Sequence, residues 1–447
     1  MGKILVIGSG LSGISAAELL VRANKIPVLF DSNENLSAGQ IRKKFSENMD
    51  IEVYTGSLPS DVSEQIELLV LSPGVPIDSA FVNEFRLRNV KISGEIELAY
   101  TYEKGRLLAV TGTNGKTTTT ALLGTILQDY FQTVFVVGNI GNPYTKTVLD
   151  STEESVTVAE ISSFQLETTE RFRPNVSAIL NITPDHLNRH HTMEQYIVEK
   201  EKITKNQKKE DTVVLNYEDP VTREFGAVTS ATPVYFSSAR RLEEGFYLNG
   251  DRICMKKENE ETELISISEL QIIGRHNVEN AMAAIAMSYA FGVPIVSILA
   301  SVKRFKAVAH RIEFVEEKGG VVYYNDSKGT NVDAAIKGIQ AMTRKTCLIG
   351  GGYDKNADYD EWIEAFEGKV KKLVLIGATA KKIAACADRH GFSDYVFAQS
   401  LEEAVCLCAE SAKAGDAVLL SPACASWGMF DNYEQRGDLF KELVRKL

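Results

Sequence analysis

The residues best equipped for chemistry lie in Leu108–Thr120, where an apolar run passes into Thr-Gly-Thr-Asn-Gly-Lys-Thr and a ladder of further hydroxyls. Gly112 and Gly115 let backbone N–H groups turn inward around an anion. Lys116 adds a point charge for β- and γ-phosphates, and Thr117 offers a hydroxyl to Mg²⁺ at the start of a helix. The spacing is Gly-x-x-Gly-Lys-Thr; the first glycine of the common P-loop falls on Val110. The expectation is ATP binding.

Other groups gather at the ends of apolar runs. Glu160 closes Val156-Thr-Val-Ala159, where a carboxylate is either a Mg²⁺ ligand or an ordinary strand-end or helix-capping acid. Asp185-His186 follows another such run. The set His186, His190 and His191 lacks a supporting cysteine and is not read as a zinc site. Lys200 stands among Glu199, Glu201 and Lys202 in a helix expected to begin at Thr192 with a Thr192/Gln195 capping pattern, so by itself it reads as a solvated lysine. Near the N-terminus, Gly8-Ser-Gly10-Leu-Ser-Gly13 follows a strand and precedes a helix to about Ala23, a second strand and Asp31. That pattern specifies a diphosphate beside a helix N-terminus and fits a dinucleotide or a UDP-sugar equally. Ser72 and Gly74, after Leu68–Leu71, either complete a diphosphate pocket or form a plain turn.

Positioning such groups calls for parallel strands, whose carboxyl ends share one edge of a sheet. Strand and helix patterns alternate throughout the 447 residues. The expected class is α/β in three domains: a Rossmann-like domain over 1–94, a P-loop-type ATP-binding parallel sheet over 95–307, and a second Rossmann-like α/β domain over 308–447. Hydrophobic residues at 44% and charged residues at 24% match globular domains and exclude disordered or fibrous classes. A net charge of −11 opposes a nucleic-acid surface. Absence of a long apolar run or a leader pattern points to the cytoplasm and away from a membrane. Cys406 and Cys408, two of six cysteines, read as reduced core residues.

Taken together, Thr111–Thr117, Gly138-Asn-Ile-Gly141, Glu160–Glu167, His276–Asn280, His310–Glu313 and Asn325–Asn331 resemble the Mur ligases of peptidoglycan synthesis, in the same order and over nearly the whole chain. Ser421–Ser426 followed by Asn432-Tyr-Glu-Gln-Arg-Gly437 resembles the D-glutamate-adding branch; the Asp-Asn-Pro-Arg of a diaminopimelate-adding member is absent, and Asn114 stands where the alanine-adding member usually has His. The resemblance implies ATP-dependent amide formation between UDP-N-acetylmuramoyl-L-alanine and D-glutamate through an acyl phosphate. It also implies two Mg²⁺ ions, with Thr117 and Glu160 at one and Glu160, His186 and a carbamylated Lys200 at the other. Lys116, Glu160, His186 and Lys200 form the implied catalytic set.

For ATP the resemblance assigns Gly112, Thr113, Asn114, Gly115, Lys116, Thr117, Thr118, Asn277, Asn280 near adenine, Arg311 and Lys328 at phosphates, and Asp326 near ribose. For the UDP-sugar it assigns Leu11, Ser12, Asp31, Ser32, Ser72, Gly74, Asn139 and His186. For D-glutamate it assigns Thr330, Lys355, Ser426 and Tyr433. Two positions depart from the family: Asn33 replaces a frequent uracil-side Arg, and Tyr433 replaces a Phe of some members. The implied partners are these small molecules, with no nucleic acid or membrane, and the chain is expected to be a monomer. A nicotinamide-dependent dehydrogenase would leave the lysine loop unexplained. A non-catalytic UDP-sugar regulator and a related ligase of different amino-acid specificity are the remaining alternatives.

Overall fold

A computed structural model of the chain describes residues 2–46 and 49–447, folded as two compact units: Met1–Ile267 with Glu279–Lys303, and Ser268–Val278 with Arg304–Leu447. The class is α/β, built on three sheets rich in parallel strands.

The first sheet has the order Glu52–Thr55, Pro27–Asp31, Lys3–Ile7, Ile66–Leu71, Lys91–Gly94, with every pairing parallel. Leu5, Val6, Val28 and Leu29 are fully buried, as expected of parallel strands covered on both faces. Chain order reverses between Lys3–Ile7 and Ile66–Leu71, so their ends are neighbours, with Ile7 opposite Leu71. The glycine turn and the Ser72 turn therefore flank one crevice at a topological switch point.

The second sheet, in the same unit, centres on Arg106–Thr111 between Val176–Ile179 and Val156–Glu160, with Val134–Gly138 beyond the latter. Val110 pairs with Glu160, and Thr111 with Ile179. Three chemistry-bearing segments, the loop 112–116, Glu160 and the stretch leading to His186, thus leave adjacent strand ends. Beyond Val176–Ile179 come Thr212–Asn216 and Thr232–Ser237, then Gly245–Asn249, Arg252–Lys257 and Glu260–Ser266, the last three paired antiparallel. This meander was not anticipated from sequence. Its turn Asn249-Gly250-Asp251 carries a left-handed Gly250 (φ 61°), a hairpin signal.

The second unit holds the order Glu313–Lys318, Val321–Asn325, Ala417–Leu420, Thr346–Gly351, Val370–Ile376, Tyr395–Phe397. Leu420 lies between Asn325 and Ile349. The sheet is parallel except at Glu313–Lys318, which runs antiparallel along the edge, so the expectation of a parallel unit is corrected there. A two-residue turn, Gly319-Gly320, with both glycines at positive φ, makes that hairpin. The cysteine reading also needs correction. On helix Leu401–Ser411, Cys408 is buried and Cys406 is exposed, because two residues advance a helix by about 200°. No helix among the described residues is long and apolar enough to cross a membrane.

Candidate active site

The phosphate-type loop is held from below. Gly112 (φ 148°) and Gly115 (φ 86°) occupy conformations that L side chains rarely adopt, and a Cβ on Gly115 would overlap the side-chain oxygen of Asn280. Helix Lys116–Tyr130 starts at Gly115 without a side-chain cap. Asn181, a residue the sequence reading missed, braces the loop: its Oδ1 accepts from Asn114 N at 2.8 Å and its Nδ2 donates to Asn114 O at 3.1 Å. Thr113 Oγ1 donates to Thr183 O at 3.1 Å and shares a hydrogen bond with the buried Tyr196 hydroxyl at 3.1 Å. Thr118 is buried, while Asn114, Lys116 and Thr117 are half-buried. Asn280 Oδ1 accepts from Thr119 Oγ1 at 3.3 Å.

Lys116 Nζ donates to Gly112 O at 2.8 Å and Thr113 O at 2.9 Å; Lys200 Nζ donates to the same Gly112 O at 2.8 Å. Lys200 is 1% exposed, with its ammonium position 4.7 Å from the Tyr196 ring centroid. This overturns the reading of a solvated lysine. Its helix, Met193–Glu201, does start at a Thr192 cap, but the face carrying Tyr196 and Lys200 packs inward. Burial first, then the Lys116 charge, push its pKa well below the lysine range, against weaker opposing effects of Asp185 and Glu160.

Glu160 is 1% exposed. Its Oε1 accepts from Asn139 Nδ2 at 2.8 Å, while its buried Oε2 has no hydrogen-bond partner among the described residues. A buried carboxylate oxygen left without a proton donor is costly, and it suits a hard cation that brings its own charge. Asn139, assigned to the UDP-sugar by resemblance, is thus also the partner of this carboxylate. His186 sits at φ 54°, edge-on to Phe164 at 4.9 Å, with a half-exposed side chain. His190 is buried and bonded to Ser163 Oγ at 2.9 Å, and burial lowers its pKa; it is a core histidine. The Thr117 hydroxyl, the Glu160 carboxylate and the His186 imidazole are the groups whose chemistry suits a divalent cation here.

In the first sheet's crevice a cavity of about 620 Å³ is lined by Leu11, Ser12, Asp31, Ser32, Ser72 and Gly74, all six of the sequence-derived positions in that sheet. Asp31 is occupied: Oδ2 accepts from Ser9 N at 2.9 Å and Ser9 Oγ at 2.6 Å, and Oδ1 accepts from Asn33 N at 3.0 Å. Burial works to raise its pKa, but these bonds and Lys44 outweigh it and the net shift is downward. Asn33 Oδ1 accepts from Asn35 N at 3.0 Å, a turn-forming bond.

In the second unit Asp326, Lys328 and Thr330 follow the strand Val321–Asn325, Lys355 follows Thr346–Gly351, Ser426 follows Ala417–Leu420, and Tyr433 opens the last helix. Asp326 is buried, accepting from Ser421 Oγ at 2.7 Å and Ile312 N at 3.3 Å. Burial raises its pKa to about 7, against those bonds and the charges of Arg311 and Arg436. Lys328 Nζ lies 3.6 Å from the Tyr433 ring centroid, and Lys355 Nζ 5.2 Å from that of Trp427. Ser426 is buried; Thr330 is half-buried beside Lys328. Asn277 Nδ2 donates to Ile273 O at 2.7 Å. The sequence reading also missed Arg436. It is 1% exposed and donates to Ser327 Oγ (2.9 Å), Ser327 O (2.8 Å) and Cys424 O (3.2 Å), joining the loops that carry Lys328 and Ser426. Its place in a motif was visible, but its burial was not.

Known proteins match along the whole chain. The Mur ligase MurD-like N-terminal domain matches residues 2–94, the Mur ligase middle domain 110–288, and the Mur ligase glutamate ligase domain 310–424. A protein of Lachnoclostridium phytofermentans named UDP-N-acetylmuramoylalanine--D-glutamate ligase is 54% identical over 445 residues, covering 100% of this chain and 98% of that one. A protein of the same name from Lachnospira eligens is 53% identical, covering 99% and 98%. Among solved structures, UDP-N-acetylmuramate-alanine ligase MurC from Thermotoga maritima has a TM-score of 0.62 at 21% identity, over all of both chains, a likeness of fold. On these matches and this architecture, the chain belongs to the Mur ligase family.

Proposed function

We infer that this protein is an ATP-dependent ligase that joins the L-alanine carboxylate of UDP-N-acetylmuramoyl-L-alanine to the amine of D-glutamate, giving ADP and phosphate in a cytoplasmic step of peptidoglycan precursor synthesis. The observation that carries the reading is the meeting of Lys116 and Lys200 on the Gly112 carbonyl, at a strand end that neighbours Glu160, in a chain 54% identical along its length to a relative of that name.

A carboxylate is a poor acyl donor. Transfer of the γ-phosphoryl group makes an acyl phosphate, the amine attacks its carbonyl carbon, and phosphate departs from the tetrahedral intermediate. Gly112, Thr113, Asn114, Gly115, Thr117 and Thr118 cradle the phosphates, and Lys116 offsets charge on the β/γ groups. Asn277 and Asn280 serve adenine, Asp326 the ribose through lone pairs beyond those already used, and Arg311 and Lys328 the phosphates. Leu11, Ser12, Asp31, Ser32, Ser72, Gly74, Asn139 and His186 receive the UDP-sugar. Thr330, Lys355, Ser426 and Tyr433 receive D-glutamate, with the Lys355 ammonium facing a carboxylate. The domains are 1–94, mainly for the UDP-sugar, 95–307, mainly for ATP, and 308–447, mainly for the amino acid.

Thr117, Glu160 and His186 would hold two Mg²⁺ ions, which would supply charge neutralisation during phosphoryl transfer. The unpartnered Glu160 Oε2 supports this assignment. Lys200 is the candidate for carbamylation, since addition of CO2 needs a neutral amine and releases one proton, and its burial favours that form. The carbamate would turn a basic side chain into an oxygen donor. We take the working species to be a monomer.

The test is ADP and phosphate release with Mg-ATP and UDP-N-acetylmuramoyl-L-alanine, comparing D-glutamate with L-glutamate, L-alanine, L-lysine and diaminopimelate. Turnover confined to D-glutamate is expected. Turnover with another amino acid would retain the ligase and replace its specificity; none with any would overturn the reading.

A further inference from the structure

Arg189 has no part in the reading above, yet three segments of the first unit meet on its guanidinium. Nε donates to Glu167 Oε1 at 3.0 Å and Nη2 to Glu167 Oε2 at 2.6 Å, a bidentate fork, and the same Nη2 donates to Val75 O at 2.9 Å. The pair is largely buried, with side chains 13% and 7% exposed. The guanidinium carbon stands 5.1 Å from the centroid of the Phe164 ring, which in turn lies edge-on to His186.

Each contact leads to a different part of the site. Val75 lines the 620 Å³ cavity and closes the Ser72 turn, its N–H donating to Ser72 O at 2.9 Å. Phe164 and Glu167 belong to the short helical segment that follows Glu160, which begins in a capping box between Ser162 and Gln165. Arg189 itself sits three residues after His186, and its N–H donates to His186 O at 2.9 Å. One side chain therefore spans from the wall of the first sheet's crevice to the segments bearing Glu160 and His186.

Only an arginine can make this joint. Its planar fork meets both carboxylate oxygens and still leaves an N–H for the Val75 carbonyl, whereas a lysine ammonium is a point donor on a flexible stem. A largely buried charge pair that also binds backbone is a rigid spacer, since breaking either half leaves the other uncompensated. We propose that Arg189 is a positioning residue. It fixes the span between the diphosphate end of the UDP-substrate site and the Glu160/His186 end, so that one long substrate is gripped at both. The proposal rests on the functional reading above. A misplacement of about 1 Å between such ends can cost on the order of a hundredfold in rate.

The full-length protein and its Arg189→Lys, Arg189→Ala and Glu167→Gln variants are to be compared by steady-state kinetics, varying each substrate in turn, and by thermal unfolding. Both Arg189 variants are expected to raise the KM for UDP-N-acetylmuramoyl-L-alanine at least tenfold while the KM values for Mg-ATP and D-glutamate stay within twofold. Glu167→Gln, which removes the charge pair but keeps the shape, falls between them and wild type. A merely structural role would lower the unfolding temperature and kcat without separating the three KM values, which would overturn the proposal. So would an unmoved KM for the UDP substrate in folded Arg189→Lys. Absence of turnover in wild type would instead overturn the functional reading, and the substrate named here with it.

Discussion

Replacing Asp326 by Asn should remove one pH-dependent contribution to stability. The carboxyl is buried and its pKa is raised from 3.8 to about 7, chiefly by that burial. A group that binds its proton more tightly when folded contributes stability that is complete below the unfolded pKa and is lost as pH rises through the folded pKa. The stability that this carboxyl contributes should therefore fall between about pH 4 and pH 7. At about 1.4 kcal/mol per pH unit, the part of that window between pH 5 and pH 7 is worth about 3 kcal/mol. Asn keeps the size of the side chain and carries no proton to lose. It offers Ser421 Oγ and the Ile312 N–H one acceptor oxygen, a local cost of about 1 kcal/mol. The difference in unfolding free energy between the variant and wild type should thus move in the variant's favour by about 3 kcal/mol from pH 5 to pH 8. Urea unfolding followed by tryptophan fluorescence reads this unit directly, because both tryptophans of the chain, Trp362 and Trp427, lie in it. A difference that does not change with pH would refute the account, since it would mean that Asp326 titrates alike in the folded and unfolded chain.

Three further outcomes follow from the first unit. Lys116→Ala should lower ADP release at least a hundredfold, with the buried core intact by circular dichroism, because Lys116 is the cation held over the glycine loop; wild-type-like turnover would remove the phosphate assignment. Lys200→Ala should lose activity and regain part of it with added short carboxylates, which offer the oxygen donor that a carbamate would provide; rescue by short amines instead would argue for an ammonium. Gly115→Ala places a methyl at φ 86° against the Asn280 side chain and should cost about 1–3 kcal/mol in stability and weaken Mg-ATP binding measured by calorimetry. An unchanged ATP affinity would show that the loop tolerates another conformation.

The sequence by itself determined the elements whose causes are local. The apolar runs ending in Ile7, Leu71, Thr111, Glu160 and Leu420 are strands because uninterrupted β-branched and aliphatic residues suit a covered parallel sheet. The glycines at 112 and 115 announce a turn because few other residues accept those backbone angles. Order along the chain carried the family resemblance for the same reason, since motifs are strings of local requirements. Tertiary structure alone decided what each polar side chain faces. Lys200 reads as a surface lysine among charged neighbours, and only packing of its helix against Tyr196 and the Gly112 carbonyl buries it and lowers its pKa. Asn181, Arg189 and Arg436 gave no signal of their braces, because their partners lie 67, 114 and 109 residues away. Burial and long-range hydrogen bonding depend on which segments the sheet order makes neighbours, a property of the whole chain that no local pattern encodes.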